Sequence, residues 1–124
     1  MSIPRSHPRY LSLMTRDRLV EGFLKGMAAP QGLIAHGRGE AFDYLLGEET
    51  CPEAGKAIKA AAYRLLFAER PVVSVNGNVA SLCSEQVSDL CNLLGCPAEV
   101  NLFHRSEERV RLIAAELRRS GCER

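Results

Sequence analysis

Apolar residues recur at helical spacing in the first quarter of the chain. Four of them lie three or four positions apart and would share one face of a helix: Val20, Phe23, Leu24 and Met27. Gly26 and Pro30 predict the end of that helix. Apolar and polar residues then alternate as in a short helix from about Gly39 to Leu46, which Gly47 closes. The first part of the chain is therefore predicted to be helical.

A further helix has a clear start signal. Thr50 and Glu53 have the spacing of a capping box, and Pro52 falls in the first turn. The apolar face that follows consists mostly of small residues: Ala54, Ala57, Ile58, Ala61, Leu65 and Ala68. Because small side chains allow helices to approach closely, this face is expected to pack against a neighbouring helix.

The pattern changes at residue 71, where the β-branched run 71–75 predicts a buried strand. A helix is predicted from about Ser84, with Gly95 as its C-terminal stop. A second strand is predicted from Ala98 to Phe103, followed by a helix that Ser106 caps. Strand, helix, strand and helix with short connections indicate a parallel sheet with a right-handed crossover.

Two strands form an incomplete sheet, because their outer edges stay unpaired. Either Gly32 to Ala35 adds an unrecognised strand, or the sheet is completed elsewhere, as in a truncated chain, a dimer or both. We expect a single domain over residues 1–124. Residues 1–70 would be mainly helical, and residues 71–124 would form a βαβα unit.

Composition narrows the class of protein. With 124 residues, 46% of them hydrophobic, the chain is long enough for one domain with a core. The net charge of +1 gives no signal for nucleic acid or an anionic membrane, although residues 1–38 carry six Lys/Arg and two Asp/Glu. No apolar run is long enough to span a membrane, and no signal peptide is recognisable. A cytoplasmic protein is expected.

Five cysteines form no CxxC pair and no zinc spacing: Cys51, Cys83, Cys91, Cys96 and Cys122. They are expected to be buried, reduced thiols that act as small hydrophobic residues. No metal site is predicted from protein side chains alone.

Candidate chemistry concentrates between Gly32 and Glu48. A histidine, an arginine and two carboxylates lie between the glycines of this segment: His36, Arg38, Glu40 and Asp43. Gly37 and Gly39 flank Arg38, so backbone N–H groups could approach an anion closely there. His36 could be a general base, a phosphate donor or a capping residue. Glu40 and Asp43 share a helix face that could hold Mg²⁺ or an amine, or could simply face solvent.

A second group of polar residues follows the two predicted strands. The carboxyl ends of these strands carry Ser74, Asn76, Gly77 and Asn78, and Asn101, His104 and Arg105. Ligands in open α/β sheets bind at this edge, so a shared cleft is predicted. Arg9 and Arg16 lie two turns apart on one helix face, where they could bind phosphate. GxxxxGK[ST] is absent, and Phe42 replaces the third glycine of GxGxxG.

Four blocks in these regions resemble the archaeal phosphopantothenate synthetases, also called 4-phosphopantoate–β-alanine ligases. The blocks are IPRSHPRYLSL, GLIAHGRGEAFDYLLGE, PVVSVNGNVASL and EVNLFHRSEERV, which come in the family's order, and the resemblance covers about residues 3–121. Family members are about twice as long, so the chain is similar to the N-terminal half of such a ligase.

The resemblance implies a Rossmann-like three-layer fold and a homodimer. It implies an AMP-forming ligase of coenzyme A biosynthesis that joins 4-phosphopantoate to β-alanine with ATP, giving 4′-phosphopantothenate, AMP and pyrophosphate. The family's ATP-binding arginines map onto Arg16 and Arg38. Mg²⁺ is the expected companion of ATP.

The remaining roles are expectations from the chemistry of that reaction. Asn76, Asn78 and Arg105 are candidates for binding the phosphate of 4-phosphopantoate, and His36 is a further donor. One group must accept a proton from the amine of β-alanine, and three side chains are candidates for this catalytic role: His36, Glu40 and Asp43. A catalytically incomplete fragment or remnant that binds phosphopantoate or nucleotide without turnover is the alternative function.

Overall fold

The computed structural model describes residues 3–123. Three helices come first: α1 (Tyr10–Leu24), α2 (Pro30–Leu46) and α3 (Pro52–Leu66). A βαβα unit follows: β1 (Val73–Val75), α4 (Gly77–Leu94), β2 (Ala98–Val100) and α5 (Glu107–Arg119). This order confirms an α/β fold with a helical N-terminal segment.

The two strands form a parallel sheet in which Val73 pairs with Ala98 and Val75 with Val100. Asn101 N–H extends the ladder by donating to the Val75 carbonyl at 2.9 Å. Helices α4 and α5 pack against each other and against the sheet, and α1 packs across α4. The parallel sheet and the crossover through α4 were therefore predicted correctly.

The predicted strand at residues 32–35 is wrong, because residues 30–46 form one helix. Pro30 occupies the first turn of α2, where its missing N–H costs nothing. The short helix predicted from Gly39 is thus the second half of a longer one, and the described sheet has two strands.

The core lies between the sheet and helices α1, α4 and α5. Its buried apolar side chains are Leu19, Met27, Ala28, Val75, Ala80, Val87, Cys91, Cys96, Leu102, Ile113 and Leu117. Leu19, Val75 and Ile113 have no exposed surface at all. The βαβα unit contributes most of these residues, so it is the part of the fold that apolar burial stabilises.

Helix α4 begins earlier than predicted. Asn76 caps it by accepting a hydrogen bond from Val79 N–H at 3.0 Å, so the helix starts at Gly77. Cys83 interrupts it with φ −145° and ψ 36°, and the second segment starts near Ser84 as predicted. Gly95 ends it with φ 61°, which confirms the predicted stop.

Helix α5 begins as predicted. Ser106 Oγ accepts a hydrogen bond from Arg109 N–H at 3.2 Å. The predicted capping box of α3 is wrong, since Cys51 is the N-cap and no side chain caps that helix. Backbone geometry selects Cys51 because Pro52 occupies the first helical position.

The expectation that α3 packs through its small-residue face is also wrong. None of its residues is buried, and Ile58 is 60% exposed. The cysteine prediction holds for Cys91 and Cys96, which are buried, and fails for Cys51, which is exposed. In the described part of the chain, no helix combines the length and the apolar character needed to cross a membrane.

Candidate functional site

Helices α1 and α2 are joined by a polar group that we call the Glu40 cluster: Arg9, Ser12, Arg16, His36 and Glu40. Arg16 Nη2 donates to Glu40 Oε2 at 2.5 Å, and Ser12 Oγ donates to Glu40 Oε1 at 3.0 Å. Arg9 Nη2 and His36 Nε2 lie 3.7 and 3.8 Å from the same Oε1 atom. One carboxylate of α2 thus faces three basic side chains.

These contacts change the ionisation of the pair. Burial alone would raise the pKa of Glu40, but hydrogen bonds from Arg16 and Ser12 and the charges of Arg16 and His36 outweigh burial, so the pKa is lowered. The hydrogen bond to Glu40 raises the pKa of Arg16. Glu40 is therefore a stable anion at neutral pH, suited to hold a guanidinium in place and poorly suited to accept a proton.

The three predicted catalytic side chains meet at one cavity of about 420 Å³ between α1 and α2. His36, Glu40 and Asp43 form one wall because they lie three or four residues apart on α2. Ser12 and Thr15 of α1 line it opposite. His36 Nε2 is buried and has no hydrogen-bond partner among the described residues. The cavity thus has an imidazole, two carboxylates and two hydroxyl groups among its lining side chains.

Arg38 does not join this cavity. Its exposed side chain follows His36 by two positions on α2, a rotation of about 200° around the helix axis. The expected backbone cradle around Arg38 is wrong, because Gly37 and Gly39 lie inside α2 and not in a loop. A Cβ at either glycine would meet no atom within 4 Å. The surface beside Arg38 is therefore open down to the helix backbone.

The strand ends form a second polar region. Asn78 Nδ2 donates to the Gly32 carbonyl at 2.9 Å and so ties the start of α4 to α2. A Cβ on Gly32 would lie 2.2 Å from Asn78 Oδ1, and a Cβ on Gly77 would lie 2.2 Å from the Met27 carbonyl oxygen. Both glycines are therefore required for the close approach of the helical segment to the βαβα unit.

Arg109 anchors the same region and was not predicted. Its Nη1 donates to the His104 carbonyl at 2.5 Å and its Nη2 to the Met27 carbonyl at 2.9 Å. Met27 and Arg109 are 82 residues apart, so no local pattern signals this contact. Its position on the first turn of α5, after the Ser106 cap, is the only sequence feature that places it at this edge of the sheet.

The structure thus separates the predicted site residues into two groups. Arg16 joins His36, Glu40 and Asp43 between α1 and α2. Asn76, Asn78 and Arg105 lie at the carboxyl ends of the strands, where Arg105 is exposed in the loop before α5. No contact joins Arg105 or Arg38 to either group among the bonds and ion pairs of residues 3–123. Their assignments remain predictions.

Comparison with known proteins identifies the family. Residues 53–124 match the family described as phosphopantothenate/pantothenate synthetase. The chain belongs to this family. The 4-phosphopantoate–beta-alanine ligase of Thermococcus kodakarensis is 56% identical over 119 residues, which cover 96% of this chain and 46% of that protein.

Two further synthetase-family relatives agree. The 4-phosphopantoate–beta-alanine ligases of Methanosarcina mazei and Methanospirillum hungatei are 51% and 52% identical. The alignments cover 97% and 96% of this chain, and 47% and 49% of those proteins. The resemblance to this family is confirmed, and the chain spans about half the length of the curated relatives it matches.

Proposed function

We propose that this chain forms half of an ATP-dependent ligase that joins 4-phosphopantoate to β-alanine. The supporting observation is the identity of 51–56% to ligases of that name over nearly the whole chain, including α1 and α2. The proposed products are 4′-phosphopantothenate, AMP and pyrophosphate. A cytoplasmic location and a homodimer, with neither nucleic acid nor membrane as a partner, are part of the same proposal.

The first step makes the carboxylate of 4-phosphopantoate reactive. A carboxylate oxygen attacks the α-phosphorus of ATP, the bond to pyrophosphate breaks, and an acyl-adenylate forms. This step depends on alignment and on neutralising phosphate charge. We assign that role to Arg16, which Glu40 orients and whose side chain is 43% exposed, and to Arg38, beside the open helix surface at Gly37 and Gly39.

Binding of 4-phosphopantoate is assigned to the strand ends. Asn76 uses Oδ1 as the cap of α4, which leaves its Nδ2 group to donate to a phosphate oxygen. Asn78 donates to Gly32, so its role is to position α2 as much as to contact the ligand. Arg105 is exposed in the loop before α5 and supplies positive charge at the same edge.

In the second step the amine of β-alanine attacks the acyl carbon, AMP leaves, and the nitrogen loses a proton. Of the three candidates for the proton acceptor we favour His36, because its Nε2 has no hydrogen-bond partner among the described residues and its side chain lines the cavity that Asp43 also lines. Glu40 is then a positioning residue for Arg16. Asp43 is exposed and supplies negative charge that attracts the ammonium form of the amine.

A resident metal centre does not fit the described residues. Residues 3–123 contain no group of three or more His, Cys, Asp or Glu placed to hold an ion. We therefore derive no step through Mg²⁺, which stays a prediction tied to ATP. The Rossmann-like three-layer fold is likewise part of the proposal, since it requires more strands than β1 and β2.

The alternative is a catalytically incomplete module that binds phosphopantoate or nucleotide without turnover. The observation that favours it is length, because the chain covers under half of the T. kodakarensis ligase. Release of AMP from ATP, 4-phosphopantoate and β-alanine separates the two functions. We expect release when the chain is mixed with the remaining segment of a full-length relative. No release from the mixture, together with calorimetric binding of either ligand, would favour the module.

The ATP contact is tested by Arg38→Ala in a full-length ligase background. A charged hydrogen bond contributes about 1.5–3 kcal/mol, so ATP use should fall at least about tenfold. Arg64→Ala, an exposed arginine of α3, is the matched control and should leave the kinetics unchanged. Unchanged kinetics in Arg38→Ala would remove Arg38 from the site.

A further inference from the structure

Three cysteines lie together where helices α4 and α5 end. Helix α4 ends in a Schellman motif in which Gly95 N–H donates to the Asn92 carbonyl and Cys96 N–H to the Cys91 carbonyl, at 3.2 and 3.0 Å. This motif brings the residue after the glycine back onto the last turn of the helix. Cys96 therefore packs against Cys91, and both are buried.

Helix α5 ends in the same way. Gly121 N–H donates to the Arg118 carbonyl and Cys122 N–H to the Leu117 carbonyl, both at 3.0 Å, and Gly121 has φ 94°. Asn92 of α4 holds this second cap from both sides. Its Nδ2 donates to the Gly121 carbonyl at 2.8 Å, and its Oδ1 accepts from Glu123 N–H at 3.2 Å. Cys122 is thus held against the end of α4.

Cys91 is the common neighbour of the other two cysteines. Cys96 belongs to the same buried cluster as Cys91, and Cys122 packs against that cluster. Burial, followed by the influence of those two thiols, raises the pKa of Cys91 to about 12. Cys91 and Cys96 are 1% and 2% exposed, whereas Cys122 is partly exposed. Cys122 also lines a cavity of about 170 Å³ together with Arg118 and Glu123, so a molecule from solvent can approach this cysteine but not the two buried ones.

We propose that Cys122 is a modification site for small-molecule disulfides, and that Cys91 resolves the adduct to form an internal Cys91–Cys122 disulfide. This site is independent of the proposed ligase site, which lies between α1 and α2 and at the carboxyl ends of the strands. The reduced trio is the resting state, and the disulfide forms when the surrounding thiol–disulfide balance becomes oxidising.

The chemistry is two thiol–disulfide exchanges. Cys122 as thiolate attacks one sulfur of a disulfide R–S–S–R, forming a mixed disulfide and releasing R–S⁻, which takes up the proton that Cys122 lost. Cys91 then attacks the Cys122 sulfur, the second R–S⁻ leaves with the proton of Cys91, and the internal bond forms. The two cysteines lose two electrons and two protons, which the reagent gains. Cys91 must lose its proton to react, and its raised pKa keeps the thiolate scarce, so this step depends on the close packing of Cys122 against the cluster that holds Cys91.

Incubation of the full chain with oxidised glutathione, followed by peptide mapping under non-reducing conditions, tests the site. Cys122 should appear linked to Cys91, while the exposed Cys51 should keep a glutathione adduct as an internal control. Oxidation closes a loop of about 30 residues, so the midpoint of thermal unfolding should rise by about 5 °C or more and return on reduction. A glutathione adduct retained on Cys122, or an unreacted Cys122, would overturn the proposal.

Variants assign the resolving thiol. Cys96→Ala should still form the link, whereas Cys91→Ala, a substitution at an equally buried position, should leave the adduct on Cys122. Cys122→Ser changes a partly exposed position and should abolish the link while Cys51 still reacts. A Cys96–Cys122 disulfide in the unsubstituted chain, or loss of the Cys91–Cys122 link in Cys96→Ala, would contradict the assignment.

Discussion

The two halves of the molecule are held by different forces. The βαβα unit buries Val75, Ile113 and Leu117 around an apolar core. Helices α2 and α3 bury no residue. Helix α2 is attached to its neighbours mainly by polar contacts, those of Glu40 with α1 and that of the Gly32 carbonyl with Asn78 of α4. The proposed catalytic side chains lie on this weakly buried half, so stability and candidate chemistry reside on different elements.

Apolar substitutions in the βαβα unit and polar substitutions on α2 should therefore affect stability in different ways. Apolar contacts in the βαβα unit respond to changes of volume and hardly to pH. The polar attachment of α2 responds to the charge of a single carboxylate. Exposed apolar side chains on α2 and α3, such as Leu45 at 80% and Leu66 at 64%, contribute little to the fold. Four pairs of variants test this difference between the two halves.

The largest effect is expected in the core. Ile113→Ala removes a fully buried side chain and should lower the free energy of unfolding by about 2–5 kcal/mol. Ile58→Ala makes the same change on α3 at a position that is 60% exposed, and should stay within about 0.5 kcal/mol. Urea unfolding measures both. Similar losses of unfolding free energy at the two positions would mean that α3 is packed in solution, and would contradict the difference between the two halves.

A smaller effect is expected where the two halves touch. Gly77→Ala would place a Cβ 2.2 Å from the Met27 carbonyl oxygen and 3.0 Å from Ala28 Cα, so backbone must move, at a cost of about 1–3 kcal/mol. Gly37→Ala meets no atom within 4 Å and lies inside α2, so it should stabilise by about 0.5–1 kcal/mol. Thermal unfolding shows whether each variant is more or less stable than the unsubstituted chain. A stabilising Gly77→Ala would show that the turn after α1 is not held against α4.

The polar attachment of α2 is tested through Glu40. Glu40→Gln removes the charge that binds Arg16 and should cost about 1.5 kcal/mol at neutral pH. Because the folded pKa of Glu40 is lowered, its stabilisation is present above the ordinary carboxyl pKa of about 4.5 and is lost as pH falls through the lowered folded value. The difference in the free energy of unfolding between the unsubstituted chain and Glu40→Gln should therefore disappear in acid. Glu69→Gln, at an exposed loop position, should show no gap at any pH.

The smallest effect is expected at the helix caps, where the cap observed at Ser106 is compared with the one that the sequence predicted at Thr50. Ser106→Ala removes the side-chain oxygen that accepts from Arg109 N–H and should cost about 1 kcal/mol. Thr50→Ala should cost only a few tenths, because Thr50 precedes the N-cap of α3 and caps nothing. Equal losses would show that the predicted capping box does form. Chemical denaturation of the two variants side by side is sufficient.

The prediction from sequence was best where the signal was local. The strand after Pro71, the stop at Gly95 and the cap at Ser106 all depend on neighbours within a few residues, and all three are confirmed. Helix α2 was the main failure, since its glycines at Gly37 and Gly39 suggested a loop. Glycine only lowers helix propensity by about 1 kcal/mol, and the surrounding residues and the contacts of Glu40 outweigh that cost.

The amino-acid sequence by itself determined the order of strands and helices in the βαβα unit, the family, and the residue types of the candidate site. Only the tertiary structure decided which polar groups meet. Arg16 and Glu40 are 24 residues apart, Arg109 and Met27 are 82 apart, and Cys122 packs against the cluster that contains Cys91 through two separate helix caps. Hydrogen bonding within a turn fixes local structure, but contacts across the chain depend on which faces the core brings together.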